Sequence, residues 1–273
     1  MNNTIKVHVL HCGSVGIDDA TTHKEKTYHP APYTGILRSK KHQIIVPVSA
    51  YLIEHPKGLV LIDTGWDSIV RTKAREYQGW IHYKVSKPYL PKGQAIDEQI
   101  RKLGYNPSDI DYLILSHLHT DHVSGLRLVK DAKQILTSDI ELKYALKNPM
   151  VYKKFMWENM NIRTFSFSKT NIGPEKTSFD LFGDNTLVFV HLPGHTHGMS
   201  GTLIQNNGKT LLLYADAAYM AKSWEKMIIP GITVDDKKAY NSIKWVKEIG
   251  EKSNCIAIIA NHDPTMKPQI FEL

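Results

Sequence analysis

The chain has 273 residues, 42% apolar, 22% charged and 9% aromatic, with a formal charge of +7 from 34 basic and 27 acidic side chains. This composition supplies a large core and excludes a disordered tail, a collagen and a coiled coil, and no apolar run approaches the ~20 residues of a membrane-spanning helix. The basic residues come in twos and threes, as in Arg38 to Lys41, Lys153 with Lys154 and Lys237 with Lys238, which reads as solvated surface rather than a nucleic-acid-binding arm.

In chain order, the start MNNTIKVHVLHCGSVG lacks the basic and apolar regions of a signal peptide, so the expected location is cytoplasmic with no membrane insertion. Cys12 and Cys255 are too few for a disulfide scaffold and read as idle or buried thiols. Val46 to Glu54 and Leu59 to Ile62 are β-branched runs joined through His55-Pro56-Lys57-Gly58, a hairpin that ends at Asp63-Thr64-Gly65. Gln94 to Leu103 has helical spacing and stops at Gly104, and Tyr112 to Leu115 is a buried strand. Beyond a histidine-rich loop come a short helix from about Ser124, a strand near Gln134 to Leu136 and a helix through Ile140 to Leu146. Leu187 to His191, Gly201 to Ile204 and Leu211 to Tyr214 are strands, with Asn206-Asn207-Gly208 as a hairpin turn. A helix over Ala239 to Ile249 and a final strand over Cys255 to Ala260 complete mixed α/β layers. No linker or repeat interrupts them, and residues 1–273 read as one domain.

Ser116-His117-Leu118-His119-Thr120-Asp121-His122 places four metal-type side chains within six residues, directly after a buried strand. In extended backbone His117 and His119 point the same way and can share an ion, while Asp121 and His122 can be aimed at a second. His195 in Pro193-Gly194-His195-Thr196, Asp216 and His262 each follow an apolar strand and are candidates to complete the set. Imidazole and carboxylate suit zinc, with iron, cobalt or manganese as alternatives, and three protein ligands per ion leave an open, catalytic position.

The H-x-H-x-D-H loop, the P-G-H-T turn, the single Asp and the last His, in that order, resemble the metallo-β-lactamase superfamily. Within it, Ala215-Asp216-Ala217-Ala218-Tyr219 and the stretch from Arg101 to Ile110 are similar to the N-acyl-homoserine lactonases. The resemblance implies an αββα four-layer sandwich of mixed sheets with helices on the outer faces. It implies a first zinc on His117, His119 and His195, a second on Asp121, His122 and His262, and Asp216 between them. Asp63 would support the metal loop from behind, Tyr219 would hydrogen-bond the reacting carbonyl, and Asp121 would orient the attacking water and pass its proton to the departing oxygen. The activity implied is opening of the lactone ring of N-acyl-homoserine lactones, hence quorum quenching.

Other lactones, glyoxalase II-like thioesters, phosphodiesters and a metal-binding scaffold without turnover are the alternatives. The usual dizinc β-lactamase carries a cysteine among its second-site ligands, whereas this chain has Asp121 and neither of its cysteines lies in a matching motif, and a flavodiiron protein has a carboxylate at the position of His119. His191 and His197 flank a ligand and are read as supporting or structural. Two aromatic- and sulfur-rich segments, 66–89 with Trp80 and 150–167 with Trp157, are read as loops that pack the core or wall an acyl groove. The chain is compatible with a homodimer.

Overall fold

In the computed structural model, which describes residues 3–273, the period-two alternation of side chains along each strand decides which layer a residue joins. The first sheet contains β1 (Lys6–Asp18), β2 (Gln43–His55), β3 (Gly58–Ile62), β4 (Lys87–Tyr89), β5 (Tyr112–Ile114), β6 (Gln134–Ser138) and β7 (Ile162–Phe165). The second contains β8 (Ser168–Lys169), β9 (Thr177–Asp180), β10 (Leu187–His191), β11 (Ser200–Asn206), β12 (Lys209–Leu213) and β13 (Cys255–Ile259), after which β14 (Ile270–Glu272) returns to the edge of the first. The strand orders are β14-β1-β2-β3-β5-β6-β7, with β4 also on β1, and β13-β12-β11-β10-β9-β8. Among the described residues, seven α-helices connect or cover them: α1 (Val70–Gln78), α2 (Trp80–Val85), α3 (Ile96–Lys102), α4 (Thr120–Val123), α5 (Asp139–Lys147), α6 (Ala221–Glu225) and α7 (Asp236–Gly250).

Along β3, Val60 and Ile62 face the second sheet, where they join Val7, Val9, Ile53 and Ile114 against Phe189, Leu211 and Leu213. Their neighbours Leu59 and Leu61 face the other way and pack with Leu52 and Leu113 against Ile96 and Ile100 of α3. On the far side, Val190, Leu203 and Leu212 meet Ile243, Val246 and Ile249 of α7. Helix, sheet, sheet and helix are thus stacked in four layers, as predicted, and each large side chain buried between them contributes about 1.5–3 kcal/mol. Among the described residues no helix is long and apolar enough to cross a membrane.

Strand direction places the site. β3, β5 and β6 run parallel. β12 and β13 are parallel, and β10 shares their direction through antiparallel β11. The loops after β5, β10, β12 and β13 carry the predicted donors, and all of them emerge from carboxyl ends.

Several predicted elements shift. The 13-residue β1 has no counterpart in the sequence reading, because a bulge between His11 and Ser14, with Gly13 at φ +92°, interrupts its alternation. The helix expected from about Ser124 instead starts at Thr120, and Ser124 opens a following 3₁₀ stretch, so Asp121 and His122 lie on the helix rather than ahead of it. The 66–89 segment is not a loop but holds α1, α2 and β4, whereas 150–167 is mainly irregular. The Asn207-Gly208 turn is as read, with φ of +49° and +74°, the positive pair a type I′ hairpin requires.

Gly194, in the turn after β10, has φ +135°, and a Cβ there would lie 2.3 Å from the backbone of Ala239 in α7. Gly194→Ala is therefore expected to lower stability by about 1–3 kcal/mol, read as a lower urea midpoint. An unchanged midpoint would mean that α7 can withdraw from the turn.

Candidate metal centre

The seven predicted donors converge. One ligand atom from each of His117, His119 and His195 lies within 4.8 Å of the others, and the same holds for His117, His122 and Asp216 and for Asp121, His122 and His262. His119 Nδ1 is 2.9 Å from His195 Nε2. Asp216 spans the two halves: its Oδ1 is 3.3 Å from His122 Nε2, and its Oδ2 is 3.3 Å from His262 Nε2 and 3.6 Å from His195 Nε2. Asp121 Oδ2 lies 3.4 Å from His262 Nε2.

The outward ring nitrogens are anchored, which turns the inward ones toward the centre. His122 Nδ1 donates to Asp63 Oδ2 at 2.8 Å, His262 Nδ1 to the Pro47 carbonyl at 2.8 Å and His195 Nδ1 to the Ile232 carbonyl at 3.0 Å. His117 Nδ1 lies 3.1 Å from Ser116 Oγ, which itself donates to Asp63 Oδ2 at 2.7 Å. Asp63 Oδ1 also accepts from the Ser116 amide at 2.7 Å. The Thr64 amide and hydroxyl both donate to the His122 carbonyl, at 2.9 and 2.8 Å, so the turn after β3 holds the metal loop by its backbone. Two carboxylate-bearing turns take left-handed backbone here, Asp63 at φ +59° and Ala215, just before Asp216, at φ +48°, a conformation that persists only when its surroundings enforce it.

The donors suit divalent cations. His117 Nε2, His122 Nε2 and Asp216 Oδ1 are buried without a hydrogen-bond partner, a costly arrangement unless they face an ion. Burial, reinforced by neighbouring histidines, holds His117 and His119 well below the usual imidazole range, the neutral form a metal needs. Burial opposes charge on His122 too, yet Asp216, Asp63 and Asp121 raise it well above that range. That half of the centre attracts positive charge.

Tyr219 is buried beside Asp216, its ring stacked on His262 with centroids 5.0 Å apart. His191 and His197 do not join the cluster: His191 Nε2 donates to the His197 carbonyl at 2.9 Å, and the two rings stack on Phe167 and Tyr144. A cavity of about 280 Å³ ends on His119, Asp121, Asp216 and Tyr219, and its walls include Val15 and Ile17 of β1, Ile81 and Val85 of α2, and Met150 and Val151. Both aromatic- and sulfur-rich segments reach this cavity, but not through their tryptophans: Trp157 lies in the core and Trp80 is exposed. Ser116 and the β1 wall had no signal in the sequence, since a lone serine and an interrupted strand look ordinary.

A family model of the metallo-beta-lactamase superfamily matches residues 44–252. The N-acyl homoserine lactonase AttM of Agrobacterium fabrum is 30% identical over 253 residues, which covers 85% of this chain and 91% of the relative. A solved N-acyl homoserine lactone hydrolase with N-hexanoyl-L-homoserine at its catalytic metal centre superposes with a TM-score of 0.76 at 24% identity, covering 94% of this chain and 93% of that one. AidC, a dizinc quorum-quenching lactonase, gives a TM-score of 0.65 at 17% identity, covering 98% and 94%. At these identities the two structures attest the fold alone.

Proposed function

Since the chain belongs to the metallo-β-lactamase superfamily, we propose that it is a dinuclear metallohydrolase that opens the lactone ring of N-acyl-homoserine lactones and so silences a diffusible signal. The observation that carries this reading is the apolar-walled cavity that ends on a seven-residue histidine and carboxylate cluster with Tyr219 beside it. AttM, the relative at 30% identity, bears the same activity in its name. A cavity of about 280 Å³ lies near the small end of ligand sites and suits an acylated ring better than a polymer.

His117, His119 and His195 would hold one ion, Asp121, His122 and His262 the other, with Asp216 between them. Zinc fits these donors, and iron, cobalt or manganese can replace it. Two such ions supply Lewis acidity, lowering the pKa of water and polarising a carbonyl. The chain's own residues do the rest. Tyr219 donates its hydroxyl proton in a hydrogen bond to the lactone carbonyl oxygen, where negative charge develops. Asp121, the most exposed carboxylate of the set, accepts a proton from the attacking water and returns it to the ring oxygen as the acyl C–O bond breaks. The product is a carboxylate and an alcohol, one water heavier than the substrate. The walls from α2 and residues 150–151 hold the acyl chain, so Ile81→Ala with Met150→Ala should shift the chain-length preference in kcat/KM, whereas Trp80→Ala should not.

The deciding experiment is mass-spectrometric detection of ring opening by zinc-loaded protein on short-, medium- and long-chain N-acyl-homoserine lactones, beside a metal-stripped control. Metal-dependent gain of one water is the expected result, and no turnover across the panel would discard the substrate. Tyr219→Phe is expected to keep both ions and lower kcat by about 10–100-fold, because one hydrogen bond to the reacting oxygen is lost. Unchanged kcat would reduce Tyr219 to packing.

A further inference from the structure

Glu141, in the first turn of α5, is fully buried, and no step above employs it. An ionised carboxylate taken out of water must be met by donors. Burial pushes its carboxyl up, and the groups that oppose this are Thr196, the amides of Leu118 and Gly198, and Tyr152. These partners are divided between two loops. Oε1 accepts from the Leu118 amide at 3.1 Å, and Leu118 lies between His117 and His119. Oε2 accepts from Thr196 Oγ1 at 2.6 Å and from the Gly198 amide at 3.1 Å, on the segment that follows His195.

Neighbouring contacts tighten the same joint. Ser138 Oγ donates to the Gly198 carbonyl at 2.7 Å and accepts from the Glu141 amide at 3.0 Å. A Cβ on Gly198 would lie 2.2 Å from the Glu141 nitrogen, so the loop rests directly on α5. Tyr152, which also meets Glu141, packs its ring against His119 with centroids 5.3 Å apart. None of these bonds reaches Asp121 or His262, and His262 is anchored instead by the Pro47 carbonyl of β2.

We propose that Glu141 is a positioning residue that sets the spacing of His117, His119 and His195 by clamping the loops after β5 and β10 together, and so governs occupancy of the first ion site. The inference rests on the metal-centre reading above. Each oxygen holds one loop, so loss of either acceptor frees His195 to move relative to the His117 and His119 pair while the second group keeps its own anchors.

The test is metal retention, independent of any substrate. Zinc- and cobalt-loaded wild-type, Glu141→Gln, Thr196→Val and Thr196→Ser proteins are challenged with graded chelator, and retained metal is measured by mass spectrometry. Cobalt spectra of His119→Ala and His262→Ala identify which ion has left. Glu141→Gln and Thr196→Val should release the first ion at about 10–100-fold lower chelator, the range for groups that orient a ligand, while the second ion stays. Thr196→Ser should behave as wild type, because it keeps the hydroxyl and loses only a methyl. If Thr196 served packing alone, valine would be tolerated and serine would not. If Glu141→Gln fails to fold, the Thr196 pair decides. Wild-type retention of both ions in the Gln and Val variants, or simultaneous loss of both, would overturn the proposal. A wild-type protein that binds no metal would overturn it together with the metal-centre reading. Two bound ions without lactone turnover would discard the substrate and leave the clamp standing.

Discussion

Asp216→Asn is expected to strip metal from both halves of the centre and to lower lactone turnover by on the order of 10³-fold or more, beyond the 10–100-fold typical of outer supporting groups. Among the described residues, Asp216 is the side chain whose oxygens face His122, His195 and His262 at once. Burial opposes its charge, but His262 and His122 hold its carboxyl well below the usual range, so the protein keeps an anion here at neutral pH. Asparagine preserves the shape and removes that charge. Two cations would then sit close together with no shared anion, and an amide nitrogen would point at one of them. The loss therefore cannot be absorbed by rotating the side chain, since either orientation leaves one half facing a donor. Metal content after gel filtration, measured beside turnover, checks the prediction. A variant that kept two ions and near-wild-type turnover would remove Asp216 from the shared position.

How much of this arrangement could be read from the residues depends on how locally each part is encoded. His117 to His122 carry their meaning within six residues, and His195, Asp216 and His262 could be placed because each follows an apolar strand. Mixed α/β layers followed from runs such as Leu59 to Ile62 and Leu211 to Tyr214, whose turns are marked by glycine, whereas the four-layer sandwich came from the resemblance carried by the metal-type residues. What escaped is encoded by contacts between distant segments. β1 is hidden by its bulge, although it pairs with β2 along nearly its whole length and supplies Val15 and Ile17 to the cavity. Ser138 caps α5 by accepting from the Glu141 amide, and in such a cap a glutamate at this position ordinarily reaches back to the capping residue's own amide. The Glu141 carboxylate instead turns inward to two loops, 23 and 55 residues away in sequence. The tryptophans drew attention by size, yet the smaller Ile81 and Met150 meet the cavity, because burial of an aromatic ring says nothing about which face it serves.

Asp63→Asn is the second substitution with a large expected effect, and it acts without touching an ion. Three donors compete for the two Asp63 oxygens: the Ser116 amide, the Ser116 hydroxyl and His122 Nδ1. A carboxylate satisfies all three, and by accepting a hydrogen bond from His122 Nδ1–H it keeps the proton on Nδ1 and leaves the Nε2 lone pair directed at the centre. An asparagine oxygen can serve part of this set, but its amide group must face a donor or force His122 into the other tautomer. In the first case a buried donor is left unmet, at about 1–3 kcal/mol. In the second, a proton on Nε2 occupies the place of the metal. Backbone strain does not confound the comparison, since asparagine accepts the left-handed conformation at φ +59° as readily as aspartate. The expected result is metal affinity at the His122 half weakened by about 10–100-fold, with the His119 and His195 half affected less. Zinc titration with a competing chelator reads the affinity, and urea unfolding of the metal-free protein separates the two cases. A lower unfolding midpoint indicates the unmet donor, whereas an unchanged midpoint with lost affinity indicates the tautomer. Wild-type affinity at both sites would show that the Asp63 charge is dispensable and that Ser116 alone orients the imidazole.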